Sequence, residues 1–274
     1  MLPTIVIKPQ DTMFKIPIKE LWDYRQLFFI FAWRDIKVRY KQTFLGVAWA
    51  LIQPVVSTFI FTLFFGQLAK IPSGDLPYPL FVIIGLVFWG FFSNSLNTAS
   101  NSLVASEHII KKIYFPRIIL PLATIVTGMI DFMISFALVI ILGFYYGYVP
   151  RIIDLPIIVG VVFFTSIAAG GIGLFFAALN VKYRDVRYVL PFIFQTLMFL
   201  TPVIYSLEIG SPSNQLIMAI NPMTTVIEIV RHVFAGNTVL NPLPILISLV
   251  STCFFIVIGI WYFNKTEKLF ADLA

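Results

Sequence analysis

The stretch 118-IILPLATIVTGMIDFMISFALVIILGFYY-146 decides the fold class, because only one of its 29 residues, Asp131, is charged. About 20 consecutive apolar residues in a helix suffice to cross a hydrocarbon core of about 30 Å. The apolar residues run continuously instead of alternating at period two, which excludes the strands of a membrane β-barrel. We therefore predict a transmembrane helix over this stretch.

The rest of the chain is similarly apolar. Of its 274 residues, 59% are hydrophobic and 12% are charged, whereas a soluble domain carries about 25% charged residues. Its mean hydropathy is +0.93. The sequence therefore predicts an all-α integral membrane protein with six transmembrane helices. The predicted spans are Phe44–Ala69, Tyr78–Leu103, Ile118–Tyr146, Leu155–Leu179, Leu190–Leu207 and Pro242–Phe263.

Lysine and arginine residues predict the orientation of these spans. If the N-terminus is placed inside, sixteen of the nineteen Lys and Arg residues fall in the inner segments. Such a bias is the positive-inside pattern, so both termini are predicted to be cytosolic. The net charge of +6 then reflects topology and contact with anionic lipids rather than nucleic-acid binding.

Residues 1–43 are predicted to form a cytosolic N-terminal segment, and residues 44–274 the transmembrane domain. At about 100° per residue, Ile18–Lys41 places its side chains on two faces. The polar face carries Lys19, Asp23, Arg34, Lys37 and Lys41, and the apolar face carries Ile18, Leu21, Trp22, Phe28, Phe29, Trp33, Ile36 and Tyr40. This pattern is typical of an amphipathic helix in the membrane interface. The helix either anchors the chain alone, or also guards a substrate entrance where Arg34, Lys37, Arg39 or Lys41 meets a phosphate headgroup.

A second stretch outside the spans, 101-NSLVASEHIIKKIYFPR-117, combines charges with apolar residues at helical spacing. It predicts a charged amphipathic helix of about ten residues, which is too short to cross a membrane. Two interpretations stay open. The helix docks a soluble partner from the cytosol, or the stretch is a solvated loop whose Lys111, Lys112 and Arg117 enforce the topology.

The outer segment Glu208–Asn241 contains two short apolar pieces, Gln215–Ile220 and Thr224–Phe234, around an Asn-Pro break. Each is too short to cross, so we predict re-entrant half-helices that dip into the outer leaflet and return. Glu228 has the helical spacing to form an ion pair with Arg231 or His232.

Two features inside the spans have different predicted roles. Asp131 is a costly intramembrane carboxylate with no basic residue within a span to pair with it. It either binds polar or backbone partners between helices or couples transport to protons. Ala169, Gly173 and Ala177 recur every four residues in the fourth span, which predicts a face for close helix packing.

Motifs for enzyme chemistry are missing from the sequence. It contains no G-x-x-x-x-G-K-[ST], H-E-x-x-H, C-x-x-C or G-x-S-x-G, so it predicts neither a phosphate-binding loop nor a hydrolytic site. We expect no catalytic residue, metal or cofactor in this chain.

Six separated motifs follow one another along the chain: 33-WRDIKVRYKQTFLGVAWALIQP-54, 77-PYPLFVIIGLVFWGFFSNS-95, 107-EHIIKKIYFPRIILPLA-123, 179-LNVKYRDVR-187, 201-TPVIYS-206 and 221-NPMTTVIEIVR-231. Together they resemble the membrane subunit of ABC-2 type polysaccharide exporters, the permeases for O-antigen, capsular and related lipid-linked glycans or teichoic acids. The resemblance covers residues from about Leu21 to Lys268.

The resemblance implies a homodimer of this chain with two copies of a separate ATPase subunit, which binds the ATP and magnesium, in a bacterial inner membrane. It implies that residues 101–117 form the coupling helix. The implied ATPase contacts are Glu107, His108, Lys111, Lys112 and Tyr114, with Arg184 and Asp185 in a second contact loop. The helix Ile18–Lys41 matches the gate helix of the family, and the outer segment matches its re-entrant helices.

The resemblance also implies a cargo, a polyprenyl-linked glycan that threads between the two copies along the first and fifth spans. Sugars stack on aromatic rings, so the candidate channel-lining residues are Phe59, Phe64, Phe192, Phe199 and Tyr205. An ABC-2 exporter of a small hydrophobic drug or lipid is an alternative with the same architecture. A stand-alone secondary transporter or channel is a second alternative, and Asp131 is the sequence feature in its favour.

Overall fold

One helix, α4 (Tyr78–Ala105), stands at the centre of the bundle. The structure is a computed structural model that describes residues 18–41, 46–183, 185–207, 212–237 and 241–267. In the most apolar window of α4, 72% of the residues are buried, against 6% in that of the first span, Ala48–Leu68. Protein therefore surrounds α4, while the first span lies on the outside of the bundle.

The remaining elements are also helical, and the described ranges contain no strand, so the all-α prediction is confirmed. In chain order, they are α1 (Ile18–Asp23), α2 (Arg25–Lys41), α3 (Gly46–Phe61) with a π-helical continuation (Thr62–Leu68), α5 (Glu107–Ile110), α6 (Ile119–Tyr146), a 3₁₀ turn (Ile152–Asp154), α7 (Leu155–Lys182), α8 (Val186–Leu200), α9 (Pro212–Met218), α10 (Pro222–Ala235) and α11 (Pro242–Glu267).

Five of these segments are long and apolar enough to cross a membrane: Ala48–Leu68, Tyr78–Ala105, Ile119–Tyr146, Ile152–Lys182 and Pro242–Glu267. They correspond to five of the six predicted spans. The remaining one, Leu190–Leu207, is shorter in the structure, because its helix is α8 with 15 residues. At a rise of about 1.5 Å per residue, α8 measures about 22 Å, less than a hydrocarbon core of about 30 Å.

Pro202 explains why α8 ends early. A proline disfavours helical geometry in the residue before it, and Thr201 is extended with φ −89° and ψ 142°. The chain then turns through residues 201–207 instead of continuing as a helix.

The predicted outer segment contains two short helices, α9 and α10, on either side of Asn221, while residues 208–211 and 238–240 lie outside the described ranges. The predicted apolar piece Thr224–Phe234 is part of α10. Its apolar side chains Met223, Ile227, Val230 and Phe234 are at most 2% exposed. Helix α10 is therefore packed within the protein, against α4, α7 and α11.

Small residues of α7 let it approach two neighbouring helices, as their spacing predicts. A Cβ atom on Gly173 would lie 2.9 Å from the Cβ of Ala99 in α4, and one on Gly259 of α11 would collide with the carbonyl oxygen of Gly171. Ala169 and Ala177 are fully buried. The three helices α4, α7 and α11 thus form a tightly packed unit.

Candidate functional site

Asp131 of α6 has a basic partner that the sequence analysis did not identify. The Arg39 Nη2 atom lies 2.7 Å from its Oδ2 atom, and the Tyr40 hydroxyl donates a hydrogen bond to its Oδ1 atom. Both partners come from the last turn of α2, outside the spans. Burial, together with the bond to Asp131, raises the pKa of Tyr40 above its usual value, so its hydroxyl stays a hydrogen-bond donor.

This contact shows how α2 lies relative to the bundle. Asp131 is twelve residues beyond Ile119, the first residue of α6, which corresponds to about 18 Å along that helix. Earlier in α2, Phe31 packs on Phe115, just before α6, with ring centroids 5.5 Å apart. Helix α2 therefore runs alongside α6 toward the middle of that helix.

The side chains of α1 and α2 divide into three faces rather than the two predicted. Phe31 and Ala32 are 4% exposed and face the bundle, and Leu21, Leu27 and Phe28 pack around them. Trp22, Phe29 and Trp33 are 58–69% exposed on a second, outer face. The polar stripe lies between these faces. The prediction had placed Leu21 and Phe28 with the outer aromatic residues.

The four basic residues predicted to meet a headgroup do not converge on one site. The Arg34 Nη2 atom is 2.8 Å from Asp35 Oδ1, and the Lys37 ammonium lies over the Trp33 ring at 5.4 Å. Lys41 is exposed. Of the four, Arg39 alone lines a cavity between helices of the bundle.

That cavity, named the Arg39 cavity here, has a volume of about 430 Å³ and lies between α3, α4 and α6, with Arg39 of α2 and Met198 of α8 completing its wall. Its polar lining includes Asp131, Gln53, Ser57, Ser93, Asn94 and Ser135, and its aromatic lining includes Trp49, Phe61, Trp89, Phe91 and Phe132. The size is within the range of about 300–1,000 Å³ for pockets that hold small ligands. Apart from Asp131, sequence analysis did not single out these residues, because they are spread over three spans.

The predicted channel-lining residues lie elsewhere. Phe59, Phe64, Phe192 and Phe199 are 50–70% exposed on α3, its π-helical continuation and α8. The Tyr205 hydroxyl is within 3.3 Å of the Phe199 carbonyl oxygen and 3.2 Å of that of Leu200. These residues do not line the Arg39 cavity, and the four phenylalanines are available to lipid or to another chain.

The 106–117 segment, between α4 and α6, differs from the predicted ten-residue helix. Residues 101–105 continue α4, and α5 is a single turn of four residues. Glu107 and Lys111 form an exposed ion pair of 2.6 Å across that turn. His108, Lys112 and Tyr114 are exposed beside them. The predicted ATPase-contact side chains therefore form one charged surface, although the helix beneath it is short.

Buried residues fix this segment to the bundle. Ile110 and Phe115 are at most 7% exposed and belong to a core that also contains Phe31 and Phe263. The Arg117 guanidinium donates a hydrogen bond to the carbonyl oxygen of Glu267. Asp185 is exposed at the start of α8, and Arg184 lies outside the described residues. The segment is thus packed against α2, α6 and α11.

At the other end of the bundle, Arg231 of α10 is 4% exposed and binds four oxygen acceptors. Its guanidinium donates to the carbonyl oxygens of Phe81, Pro202 and Val203, with distances of 2.7–3.3 Å, and to Glu228 Oε1 at 3.0 Å. The predicted Glu228–Arg231 pair is therefore confirmed, but its carbonyl partners were missed. Burial lowers the pKa of Arg231 to about 10, and Glu228 opposes that shift, so the guanidinium is charged at neutral pH.

Two of the sequence motifs meet at this end. Asn221 caps α10 by accepting a hydrogen bond from the Met223 amide at 3.0 Å, and its side-chain amide donates to Thr201 Oγ1 at 2.7 Å. Side-chain caps of this type satisfy otherwise unpaired amides of a helix N-terminus. The break after α8 and the start of α10 are thereby joined.

Within the described ranges, no group of three or more His, Cys, Asp and Glu side chains is arranged to hold a metal ion. The candidate functional features are instead the half-buried Arg39–Asp131 ion pair, the polar and aromatic Arg39 cavity, and the charged surface of the 106–117 segment.

Comparisons with known proteins relate this chain to one protein family and to several individual proteins. The sequence model of the ABC-2 type transporter family matches residues 26–235. The chain is 30% identical to an "O-antigen export system permease protein RfbA" from Klebsiella pneumoniae over 244 residues, which cover 88% of this chain and 92% of that protein. It is 27% identical to the RfbA protein of Myxococcus xanthus over 84% of this chain and 88% of that one. It is also 24% identical to the "Polysialic acid transport protein KpsM" of Escherichia coli over 73% of this chain and 77% of that protein.

Proposed function

Because this chain belongs to the ABC-2 type transporter family, we propose that it is the permease subunit of an ATP-driven exporter of a lipid-linked polysaccharide. The observation that carries this proposal is the similarity to O-antigen export permeases over 88% of the chain. The cargo class that we propose is an O-antigen-like or other cell-surface glycan attached to a polyprenyl carrier.

We propose that the protein lies in a bacterial inner membrane with both termini in the cytosol. The bias of Lys and Arg supports this orientation. In the described ranges, one end of the bundle carries Lys111, Lys112 and Arg117, together with Lys182 and Lys265, and we name it the basic end. The basic end would face the cytosol, and α10 with Arg231 would lie at the outer side.

Energy would come from two copies of a separate ATPase subunit, because the sequence has no phosphate-binding loop of its own. The 106–117 segment is the proposed docking surface. It exposes His108, Lys112 and Tyr114 on a buried base that contains Ile110 and Phe115. Because Ile110 and Phe115 are packed in the bundle, a movement of the ATPase against these exposed side chains would be passed on to the neighbouring helices. Asp185 and Arg184 would form the second contact.

The structure supports a route from this contact into the membrane. Phe115 of the segment packs on Phe31 of α2, and the last turn of α2 binds Asp131. A shift of the ATPase would therefore displace α2 as well as α6, and would bias the Arg39–Asp131 contact. ATP binding shifts a conformational equilibrium only through such differential contacts.

A second copy of the chain would complete the translocation path. The exposure of the phenylalanines of α3 and α8 supports contact with that copy, and rings such as Phe59 and Phe192 would line the channel between the copies. On the cytosolic side, Arg34, Lys37, Arg39 and Lys41 supply positive charge for a phosphate headgroup. The ion pair of Asp131 with Arg39 gives this intramembrane carboxylate a structural partner, which favours an ATP-driven permease over the alternative of a proton-coupled secondary transporter.

The decisive experiment is a clean deletion of the gene, followed by analysis of surface glycans and of lipid-linked intermediates in the cytoplasmic membrane. We expect the loss of one surface polymer and the accumulation of its lipid-linked precursor. Complementation with the intact gene should restore export. An unchanged glycan profile would refute the polysaccharide cargo and favour an exporter of small hydrophobic molecules.

A further inference from the structure

The Arg39 cavity combines two kinds of side chain that bind sugars. Gln53 and Asn94, which carry side-chain amides, line it, and both residues are exposed. Amides both donate and accept, as sugar hydroxyls do. Trp49 and Trp89 line the same space, and their flat rings can cover the apolar face of a sugar.

An anion site adjoins this sugar-binding surface. Arg39 and Asp131 both line the cavity, so their ion pair lies at its wall. Guanidinium groups bind carboxylates and phosphates with the same forked geometry. The Arg39 side chain is 42% exposed and that of Asp131 is 16% exposed, so a ligand can reach the arginine more readily than the aspartate.

We propose that the Arg39 cavity binds the phosphate-linked first sugar of the cargo, and that Asp131 occupies the phosphate position while the cavity is empty. Phosphate and carboxylate would then compete for Arg39, and the Tyr40 hydroxyl could donate to either. This inference rests on the proposed function for the identity of the ligand. It adds a binding site that the residues of a single copy of the chain line.

The competition predicts effects of opposite sign for the two members of the ion pair. Asp131→Asn removes the competing charge, so phosphate binding should become stronger, whereas Arg39→Gln removes the phosphate ligand, so binding should weaken. A charge-assisted hydrogen bond corresponds to a change of about tenfold in affinity. If Asp131 only stabilised the fold, neither substitution would strengthen binding.

The test measures the affinity of the full chain in lipid nanodiscs for three probes. They are a polyprenyl pyrophosphate that carries one hexosamine, the same lipid without the sugar, and inorganic pyrophosphate. We expect Asp131→Asn to bind both lipids about tenfold more tightly and Arg39→Gln about tenfold more weakly than the unaltered protein. Asp131→Glu keeps a carboxylate and should bind like the unaltered protein. Arg25→Gln is the matched control, because Arg25 lies on the same helix, is exposed and bonds the Trp22 carbonyl oxygen.

Asn94→Leu tests the sugar half of the site. It should weaken binding of the sugar-bearing lipid and leave binding of the sugar-free lipid unchanged. Inorganic pyrophosphate should bind much more weakly than either lipid. Equal binding of pyrophosphate and lipid would show that the cavity takes a free phosphate, and an equal effect of Asn94→Leu on both lipids would refute the sugar contact.

If the Asp131→Asn variant binds the two lipids no more tightly than the unaltered protein, the proposed competition between phosphate and Asp131 is refuted. If that variant does not assemble, the double variant Arg39→Gln with Asp131→Asn replaces it, because this variant retains a neutral pair of similar shape. A double variant that binds the lipids as tightly as the unaltered protein would refute the role of Arg39. The deletion experiment separates this inference from the proposed function. Loss of surface glycan together with unchanged affinities would refute the cavity site alone, whereas an unchanged glycan profile with the expected affinities would refute only the identity of the cargo.

Discussion

The aromatic rings of Phe31 and Phe115 pack with their centroids 5.5 Å apart, and this contact joins α2 to the 106–117 segment. Phe31 is 4% exposed and Phe115 is 3% exposed. The two residues are 84 positions apart in sequence, so the contact is purely tertiary. Through one hydrophobic core, it joins the helix that carries Arg39 to the segment that carries the proposed ATPase-docking surface.

We expect a double-mutant cycle with Phe31→Leu and Phe115→Leu to give an interaction free energy of about 0.5–1.5 kcal/mol, as for other aromatic pairs. Thermal unfolding in detergent measures it. If the contact also transmits the ATPase movement, each variant should lower export more than ATP hydrolysis. Phe29→Leu is the control, since Phe29 is 66% exposed on the same helix. An interaction free energy near zero would contradict the prediction.

Exchanging the charges of Glu107 and Lys111, by Glu107→Lys together with Lys111→Glu, should uncouple ATP hydrolysis from export. The exchanged residues can still pair within the turn, and an exposed i,i+4 pair contributes only about 0.3–0.5 kcal/mol, so insertion and stability should hardly change. The negative and the positive charge that the segment presents to the ATPase, however, change places. ATPase activity and glycan export of the purified and cellular complexes measure the effect, and normal export would refute this docking surface.

Arg231→Lys should destabilise the protein strongly even though it keeps the positive charge. A lysine ammonium lacks the planar fork that reaches the carbonyl oxygens of Phe81, Pro202 and Val203, and unsatisfied buried carbonyl groups cost about 1–3 kcal/mol each. The midpoint of thermal unfolding measures the loss. Arg151→Lys is the matched control, because Arg151 is exposed and binds the Gly236 carbonyl oxygen at 2.9 Å. Equal midpoints for the two variants would contradict the assigned role of Arg231.

Gly85→Ala should disturb the same assembly from the side of α4. The added Cβ atom would lie 2.9 Å from the Val203 carbonyl oxygen and 3.1 Å from Arg231 Nη2, so the backbone must shift, at a cost of about 1–3 kcal/mol. Gly160→Ala has no atom within 4 Å of its new Cβ. That control should be neutral or slightly stabilising, because alanine favours a helix by about 1 kcal/mol over glycine. Comparable losses in both variants would refute the steric explanation.

The long apolar runs allowed most of the helices to be predicted, because a membrane constrains length and composition within one continuous stretch. Contacts between distant stretches could not be predicted in this way. Asp131 gave no sign that its partners are Arg39 and Tyr40, since those residues precede the first span and were assigned to a helix in the interface. Arg231 gave a visible pair with Glu228, but its carbonyl partners depend on how the chain turns after Thr201. Pro202 indicated that α8 ends early, but the apolar residues on both sides of it led to the prediction of a span that continues to Leu207.

The glycines and alanines of α7 have a consequence for how this protein can diversify. Helices α4, α7 and α11 approach so closely that a single added methyl group at Gly173 or Gly259 would force backbones apart. Substitutions by larger residues at these positions would therefore destabilise the protein. The first span has almost no buried residues in its most apolar window, and substitutions there change few internal contacts. A lineage could therefore alter the surface of α3 to suit a new polymer while it inherits the inner three helices unchanged.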